Sequence, residues 1–456
     1  VLLSAFKLIK GDAQEARINR YRVTERQVAD FEKRFPFVFT AGQQAAVRDI
    51  YDNVTGPVRM NRLLQGDVGS GKTAVALTGM YMALASGYQA AYLSPTEVLA
   101  AQNFALLQKL FPEYRVGYLA GGSTAKEKRE LKAALSSGEL DIVCGTHAVL
   151  QQDVHFARLA FCVCDEQHRF GVAQRNALSE KGEMPDMLVM SATPIPRTLS
   201  LVFYGDLDVT TIADKPRDRQ PVTTSVVPAR KYDDMLAYVR QETKKGRQAY
   251  FVCAKIDDDE GEVTSVTELW EELKNRLPDV RFGLLHGRMR EKEKTAVMTA
   301  FKNHEYDCLV STTVIEVGVD VPDATIMVIM NAERFGLSQL HQLRGRVGRG
   351  SEKSWCFLMI GSDTDTARER LNVFKNTSDG FALAEKDLEL RGSGDFLGTR
   401  QSGKFLTDVK NLRYSTQVIF TAKKLTDEAF ERRLHFDAIQ KAAMEKYESL
   451  KDVVLN

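Results

Sequence analysis

With 456 residues, the chain is long enough for two to four domains, and its apolar content of 44% suffices for substantial cores. Its 62 basic and 61 acidic residues nearly cancel to a formal net charge of +1, so global charge argues neither for nor against a nucleic-acid partner. The sequence shows no secretory signal and no apolar run that could span a bilayer. We therefore expect a soluble, cytoplasmic protein without a membrane partner.

The first 34 residues are interpreted as a polar connecting helix that runs from Leu2 to about Arg34. Because the sequence begins with Val1 rather than methionine, we expect a further segment upstream. From Arg62 to about Ile212, short β-rich apolar runs alternate with helical patterns, which is typical of parallel βαβ units. We predict strands at RLLQGD, QAAYLSP, RVGYLAG, DIVCGT, LAFCVCDE and DMLVMSAT, and helices at TAVALTGMYMALAS, EVLAAQNFALLQKLF and TAKEKRELKAAL.

A charged segment with two prolines, ADKPRDRQPV, is predicted to link this first α/β domain (35–212) to a second one (213–361). The second domain is predicted to have strands at AYFVCAK, RFGLLHG, YDCLVSTT, TIMVIMNA and SWCFLMIG, and helices at VTSVTELWEELKNRL and EKEKTAVMTAFKNH. Two α/β domains in tandem suggest a cleft that binds a ligand. Charged helices then surround a glycine-rich loop, ELRGSGDFLGTRQSG, so 362–456 is predicted to be a mostly helical domain.

The six cysteines lie scattered in apolar runs, and the C-x-C pair within LAFCVC fits a buried strand. No second cysteine pair follows it, so we expect small core hydrophobes rather than a disulfide or a zinc site. The six are Cys144, Cys162, Cys164, Cys253, Cys308 and Cys356.

The strongest local signal is a G-x-x-x-x-G-K-T segment between a predicted strand and a predicted helix. Glycines let the backbone N–H groups surround a polyphosphate, Lys72 is placed to reach the β- and γ-phosphates, and the Thr73 hydroxyl is placed to bind Mg²⁺. A glycine-rich turn that merely starts a helix is the alternative, which the strand–loop–helix context disfavours. We expect ATP and Mg²⁺ as cofactors, bound by Gly66, Asp67, Gly69, Ser70, Gly71, Lys72 and Thr73.

Two acidic residues follow the apolar strand LAFCVC. Asp165, at the carboxyl end of that strand, is placed to hold Mg²⁺ opposite the phosphate loop, and Glu166 to deprotonate the attacking water. Two acids after a strand are usually a solvated turn, but a phosphate loop in the same domain favours the catalytic interpretation. His168 nearby is compatible with a purely structural role.

The second domain contains QLRGRVGR, in which Arg346 and Arg349 are spaced as on one helical turn. An arginine can neutralise the charge that builds up on the γ-phosphate, and the interleaved glycines favour close approach to an anion over a solvated basic face. The three signals together predict nucleotide bound by one domain and a trigger for hydrolysis supplied by the other.

With these motifs in this order, the chain resembles superfamily 2 helicases, which implies two tandem RecA-like parallel-sheet domains. In that resemblance Phe37 and Gln43 read the adenine, Gln342 joins the catalytic arginines, and Gly318 and Asp320 also contact nucleotide. The resemblance assigns strand gripping or coupling to Thr96, Gly121, Gly122, Thr146, Ser191, Thr193, His286, Gly287 and Thr313.

Within that superfamily, DEQHRFGV and SATPIPRTL are similar to the RecG family, whereas the transcription–repair coupling family usually has DEEQRFG. The stretch DLELRGSGDFLGTRQSG is similar to the translocation motif that both families share, a helical hairpin and loop to which Arg391, Gly394 and Gln401 would belong. RecG proteins also carry an N-terminal wedge domain with an oligonucleotide-binding barrel. No such β-rich barrel precedes the motor in this sequence, which puts fork binding and strand separation in doubt.

The resemblance implies an ATP-dependent double-stranded DNA translocase or helicase that remodels stalled forks and Holliday junctions in recombination, repair and replication restart. It implies a nucleoid-associated monomer, with duplex and branched DNA as partners and replication-fork proteins as candidate partners. Two alternatives stay open: an RNA helicase on the same motor, disfavoured by DEQH and the C-terminal glycine loop, and a nucleotide-controlled clamp that does not translocate, disfavoured by Glu166 and the two arginines.

Overall fold

A computed structural model of the chain describes residues 16–165, 177–191, 207–214, 221–254, 259–313, 321–348, 350, 352–362 and 364–391, and a few single positions beyond. The chain divides into two compact units. Unit 1 comprises Val1–Asp214 with Leu388–Asn456, and unit 2 comprises Lys215–Asp387.

The segment before the first sheet is helical only in part. Helix α1 spans Glu25–Glu32 and begins with a capping box, in which Thr24 and Gln27 satisfy each other's backbone N–H groups. Residues 17–24 are not helical, and Ala16 forms an isolated bridge with Val58. The prediction of a continuous helix from Leu2 to Arg34 is therefore wrong for 17–24, because long-range contacts of the Arg17 side chain hold this stretch against the domain. Residues 1–15 lie outside the described residues.

Unit 1 is built on a parallel sheet that confirms all six strands predicted for it. Its strand order is β3-β4-β2-β5-β6-β1-β7. The seventh strand, β7, was not predicted because DVTTI is polar, short and at the sheet edge. The elements are α2 Ala41–Thr55, β1 Asn61–Gly66, α3 Lys72–Ala85, β2 Gln89–Leu93, α4 Glu97–Leu110, β3 Val116–Leu119, α5 Ala125–Ser137, β4 Ile142–Gly145, β5 Leu159–Cys164, β6 Asp186–Ser191 and β7 Asp208–Ile212.

The five inner strands of unit 1 are buried on both faces, as a parallel sheet with helices on each side requires, whereas the edge strands β3 and β7 are only partly buried. Along β2, Ala90 and Tyr92 belong to the core that includes Met80 of α3, whereas Ala91 and Leu93 belong to the core on the other face. This alternation decides which strand side chains lie under α3.

Unit 2 is a second parallel sheet, with the order β10-β11-β9-β12-β13-β8. The five predicted strands and both predicted helices are confirmed; β8 and α6 were not predicted. The elements are β8 Val222–Val227, α6 Tyr232–Thr243, β9 Gln248–Val252, α7 Asp259–Arg276, β10 Phe282–Leu285, α8 Glu291–Lys302, β11 Cys308–Ser311, β12 Ala324–Ile329, α9 Leu337–Arg344, β13 Ser354–Met359, α10 Asp365–Asn376 and α11 Gly380–Arg391.

Helices α10 and α11 agree with the helical pattern expected after Gly361. The predicted hairpin and loop, with Gly394 and Gln401, lie outside the described residues. All six cysteines are buried, and burial raises the pKa of the Cys144, Cys253 and Cys356 thiols. Within the described stretches, no helix is long and apolar enough to cross a membrane.

Candidate functional site

The carboxyl edge of the unit 1 sheet collects the predicted nucleotide-binding residues. The phosphate loop follows β1, Asp165 follows β5, and Ser191 ends β6, which lies between those two strands. Because all three strands are parallel, their carboxyl ends open at the same edge. Ligands of parallel α/β sheets bind at this edge.

The phosphate loop has the backbone that an anion requires. Gly69 and Gly71 have φ of 78° and 81°, which side chains other than glycine rarely adopt, and Gly71 caps the start of α3. The Lys72 ammonium donates to the carbonyls of Gly66 at 2.7 Å and Asp67 at 2.9 Å, so it lies within the loop. The N-terminus of α3 directs N–H groups and a positive dipole end into the same loop.

Ser70 supplies a test of whether a phosphate fits this loop. Its side chain is buried, and its hydroxyl has no hydrogen-bond partner among the described residues. A buried hydroxyl without a partner is costly unless a ligand satisfies it. Together with the Lys72 ammonium, this hydroxyl suits an anion such as a nucleotide phosphate.

Two predicted adenine-reading residues lie before the loop, and one of them contacts it. Gln43 closes a capping box with Thr40 at the start of α2, and its amide donates to the Ser70 carbonyl at 2.9 Å. Phe37 is 47% exposed and stacks on Phe39 with ring centroids 5.9 Å apart. The structure thus ties Gln43 directly to the phosphate loop, and it leaves the Phe37 ring available for stacking.

One predicted magnesium ligand, Asp165, is hydrogen-bonded to a buried tyrosine. The hydroxyl of Tyr92 donates to Asp165 Oδ2 at 3.3 Å. Burial, followed by the charge of Asp165, raises the pKa of Tyr92, so the phenol stays protonated. Thr73, the other predicted ligand, is the second residue of α3, directly after the phosphate loop. Mg²⁺ in proteins binds through one or two such oxygens together with phosphates and water, so a hydroxyl and a carboxylate at this sheet edge fit that ion. Glu166 lies outside the described residues.

The other half of the same sheet edge carries the predicted strand-gripping residues, after β2, β3 and β4. Thr96 caps α4, and the adjacent Glu97 carboxylate accepts from the Gly122 N–H at 3.0 Å. A Cβ at Gly121 would lie 2.8 Å from that carboxylate, so a larger residue there would require the Glu97 side chain to move. Thr146 is buried, and its hydroxyl has no partner among the described residues. These residues lie together at one edge, beside the nucleotide half.

Unit 2 shows the same pattern at its own carboxyl edge. His286 and Gly287 follow β10, and Thr313 follows its neighbour β11. The His286 Nδ1 atom is buried without a partner in the described part of the chain. Three further predicted residues, Thr193, Gly318 and Asp320, lie outside the described residues, so their placement stays a prediction.

The arginine motif differs from its prediction in geometry. Helix α9 ends at Arg344, with Gly345 as its C-cap, and Gly348 has φ of +75°. Arg346 therefore lies in a turn after the helix rather than within it, and its spacing of one helical turn from Arg349 stays a prediction. Gln342 and Arg346 are both buried, and Arg349 lies outside the described residues.

Arg344, between them, has a structural role that sequence reasoning missed. Its guanidinium donates to the carbonyls of Phe374 at 3.1 Å and Thr377 at 2.9 Å and lies over the Phe374 ring. It therefore ties α9 to α10. Nothing in the spacing of the motif distinguishes this arginine from its neighbours.

Three family models match successive parts of the chain. They are described as DEAD/DEAH box helicase (residues 40–202), helicase conserved C-terminal domain (230–351) and ATP-dependent DNA helicase RecG, domain 3, C-terminal (377–455). With two parallel sheets that carry these matches, the chain is a helicase-type protein with two RecA-like domains.

Comparison with individual proteins identifies a narrower class of helicase. The chain is 45% identical over 92% of its length to the ATP-dependent DNA helicase RecG of Bacillus subtilis, and 46% identical over 88% to that of Thermotoga maritima. A solved RecG bound to a three-way DNA junction superposes with a TM-score of 0.79 at 41% identity, over 93% of the chain. The chain is therefore similar to RecG proteins over about nine tenths of its own length.

The match does not extend over the whole of these relatives. The chain spans 62% and 52% of the two bacterial proteins and 55% of the solved RecG chain. A more distant likeness, to Mss116p bound to ssRNA and AMP-PNP, has a TM-score of 0.60 at 20% identity and supports the fold alone.

Proposed function

We propose that the chain is the ATP-driven motor of a double-stranded DNA translocase that remodels branched DNA in recombination, repair and replication restart. The observation that carries the proposal is that the phosphate loop, with the Lys72 ammonium inside it, and Asp165, held by Tyr92, lie at one sheet edge. The 41% identity to a RecG solved on a three-way junction supports the choice of DNA.

For hydrolysis, each residue has a defined task. The loop N–H groups and the Lys72 ammonium bind the phosphates, and Gln43 and Phe37 hold the base. Thr73 and Asp165 would hold Mg²⁺, which would neutralise part of the phosphate charge. Glu166 accepts the proton of the attacking water, while Gln342, Arg346 and Arg349 stabilise the charge that develops on the γ-phosphate.

For DNA binding, the proposed contacts come from the loops at the carboxyl edges of the two sheets. The Gly121–Gly122 loop and the hydroxyls of Thr96, Thr146 and Thr313 suit contacts to backbone phosphates, which carry no sequence information. Binding is therefore expected to be largely sequence-independent and to weaken as salt rises. The segment with Arg391, Gly394 and Gln401 is proposed to transmit the motion of the domains to duplex DNA. Four further residues are proposed to couple this motion to ATP hydrolysis: Ser191, Thr193, His286 and Gly287.

The proposal extends to the oligomeric state and to partner proteins. One chain contains every residue assigned to the nucleotide site, so a monomer suffices for turnover. Replication-fork proteins are proposed as partners, at the nucleoid.

Steady-state ATP hydrolysis with no nucleic acid, linear duplex, forked duplex and structured RNA tests the proposal. Duplex DNA is expected to stimulate turnover strongly, and RNA is not.

Lys72→Ala should abolish hydrolysis because the phosphates lose their only lysine in the loop. Lys109→Ala, an exposed lysine on α4, is the matched control and should hydrolyse at the parent rate.

The outcomes separate the alternatives. Near-parent turnover by Lys72→Ala would overturn the phosphate-loop assignment, and stimulation by RNA but not DNA would indicate an RNA helicase. Displacement of a third strand from a long duplex is expected of a translocase, since a static clamp cannot remove it.

A further inference from the structure

Tyr92 contacts the predicted metal-binding carboxylate of the nucleotide site. It is fully buried near the carboxyl end of β2, and its hydroxyl donates to Asp165 Oδ2 at 3.3 Å. A single buried hydroxyl therefore joins the end of β2 to the residue that follows β5.

The sheet fixes this position through the backbone. Tyr92 shares its strand face with Ala90, under α3, and Thr73 is the second residue of that helix. Strand β5 pairs in parallel with β2, with Leu93 opposite Cys164, and the Asp165 N–H donates to the Leu93 carbonyl at 2.9 Å.

The direction of this hydrogen bond suits metal binding. Tyr92 donates its hydrogen to one carboxylate oxygen of Asp165, which fixes the rotation of that group. Partners of this kind behind metal ligands orient them and tune metal affinity.

We propose that Tyr92 is a positioning residue for the magnesium ion of the nucleotide site, which it serves by orienting the Asp165 carboxylate. The proposal rests on the proposed ATP site. It assigns to Tyr92 no contact with the nucleotide itself.

The test is Tyr92→Phe, which removes the hydroxyl and keeps the ring. Tyr21→Phe is the matched control, because Tyr21 is also buried in the same core and its hydroxyl donates to the Ala160 carbonyl at 2.9 Å, away from the site. Calorimetric titration with a non-hydrolysable ATP analogue is run at increasing Mg²⁺ and in EDTA. Tyr92→Phe should raise the Mg²⁺ concentration for half-maximal binding by about tenfold.

Affinity in EDTA should be unchanged in both variants, which also checks that the fold and the phosphate loop are intact. Unchanged Mg²⁺ dependence in Tyr92→Phe would overturn the inference, and so would an equal shift in Tyr21→Phe. An equal loss of affinity with and without Mg²⁺ would also overturn it, since it would show a purely structural role. A parent chain that binds no nucleotide would instead overturn the proposed function itself.

Discussion

Two glycines with nearly the same backbone differ in what surrounds them. Gly71 in the phosphate loop and Gly87 after α3 have φ of 81° and 82°. A Cβ at Gly71 would lie 2.1 Å from the Gln43 amide nitrogen, whereas a Cβ at Gly87 meets nothing within 4 Å. A side chain at either position would therefore be strained by the left-handed backbone, but only a side chain at Gly71 would also clash with a neighbour.

We therefore predict that Gly87→Ala costs about 1–2 kcal/mol, which is the left-handed penalty alone. Gly71→Ala should cost about 1 kcal/mol more because Gln43 must release the Ser70 carbonyl. It should also weaken nucleotide binding, which Gly87→Ala should not. Denaturant unfolding and nucleotide titration of both variants check this, and equal behaviour of the two would contradict the steric argument.

At the scale of elements, a buried ion pair attaches the first described segment to the sheet. Arg17 donates to both carboxylate oxygens of Asp186, at 2.5 and 2.9 Å, and to the carbonyls of Asn53 and Val58. The Arg17 and Asp186 side chains are 6% and 0% exposed. Asp186 also accepts from the Met60 N–H at 2.6 Å, so it holds the amino ends of β6 and β1 together.

We predict that Arg17→Ala destabilises unit 1 by about 3–5 kcal/mol, because it leaves a buried carboxylate without its counter-charge. Arg48→Ala is the control, since Arg48 pairs with Glu25 at 3.7 Å with both side chains 65% exposed, and should cost about 1 kcal/mol or less. Hydrogen exchange localises the effect: amides of β1 and β6 should lose protection, and those of β12 should keep it. Similar losses in both variants would show that burial of the pair is unimportant.

The elements that sequence analysis predicted correctly are those with local signals. Apolar runs of β1 to β6 and the glycine spacing of the phosphate loop need no distant residue for their recognition. Strand β8 and helix α6 follow the proline-containing linker directly. Because the linker pattern runs up to Val222, where β8 begins, the sequence does not show where the linker ends. Arg17 and Tyr92 were missed for another reason: their partners lie 169 and 73 residues away in the chain, so only the fold brings them together.

At the scale of the whole molecule, the residues assigned to hydrolysis are divided between the two units. The phosphate loop and Asp165 belong to unit 1, and Gln342 and Arg346 belong to unit 2. If the second unit supplies charge only to the transition state, removing that charge lowers turnover and leaves ground-state binding of the nucleotide intact.

We therefore predict that Arg346→Ala binds ATP with nearly the parent affinity but turns it over more slowly by a factor on the order of 10³, as expected when an arginine that stabilises γ-phosphate charge is removed. Arg368→Ala, an exposed arginine on α10 in the same unit, is the matched control and should turn over at the parent rate. Equilibrium titration gives the affinity, and DNA-stimulated steady-state hydrolysis gives the turnover. A loss of binding equal to the loss of turnover would place Arg346 in ground-state binding, and full activity would remove it from the mechanism, since hydrolysis would then need nothing from this part of unit 2.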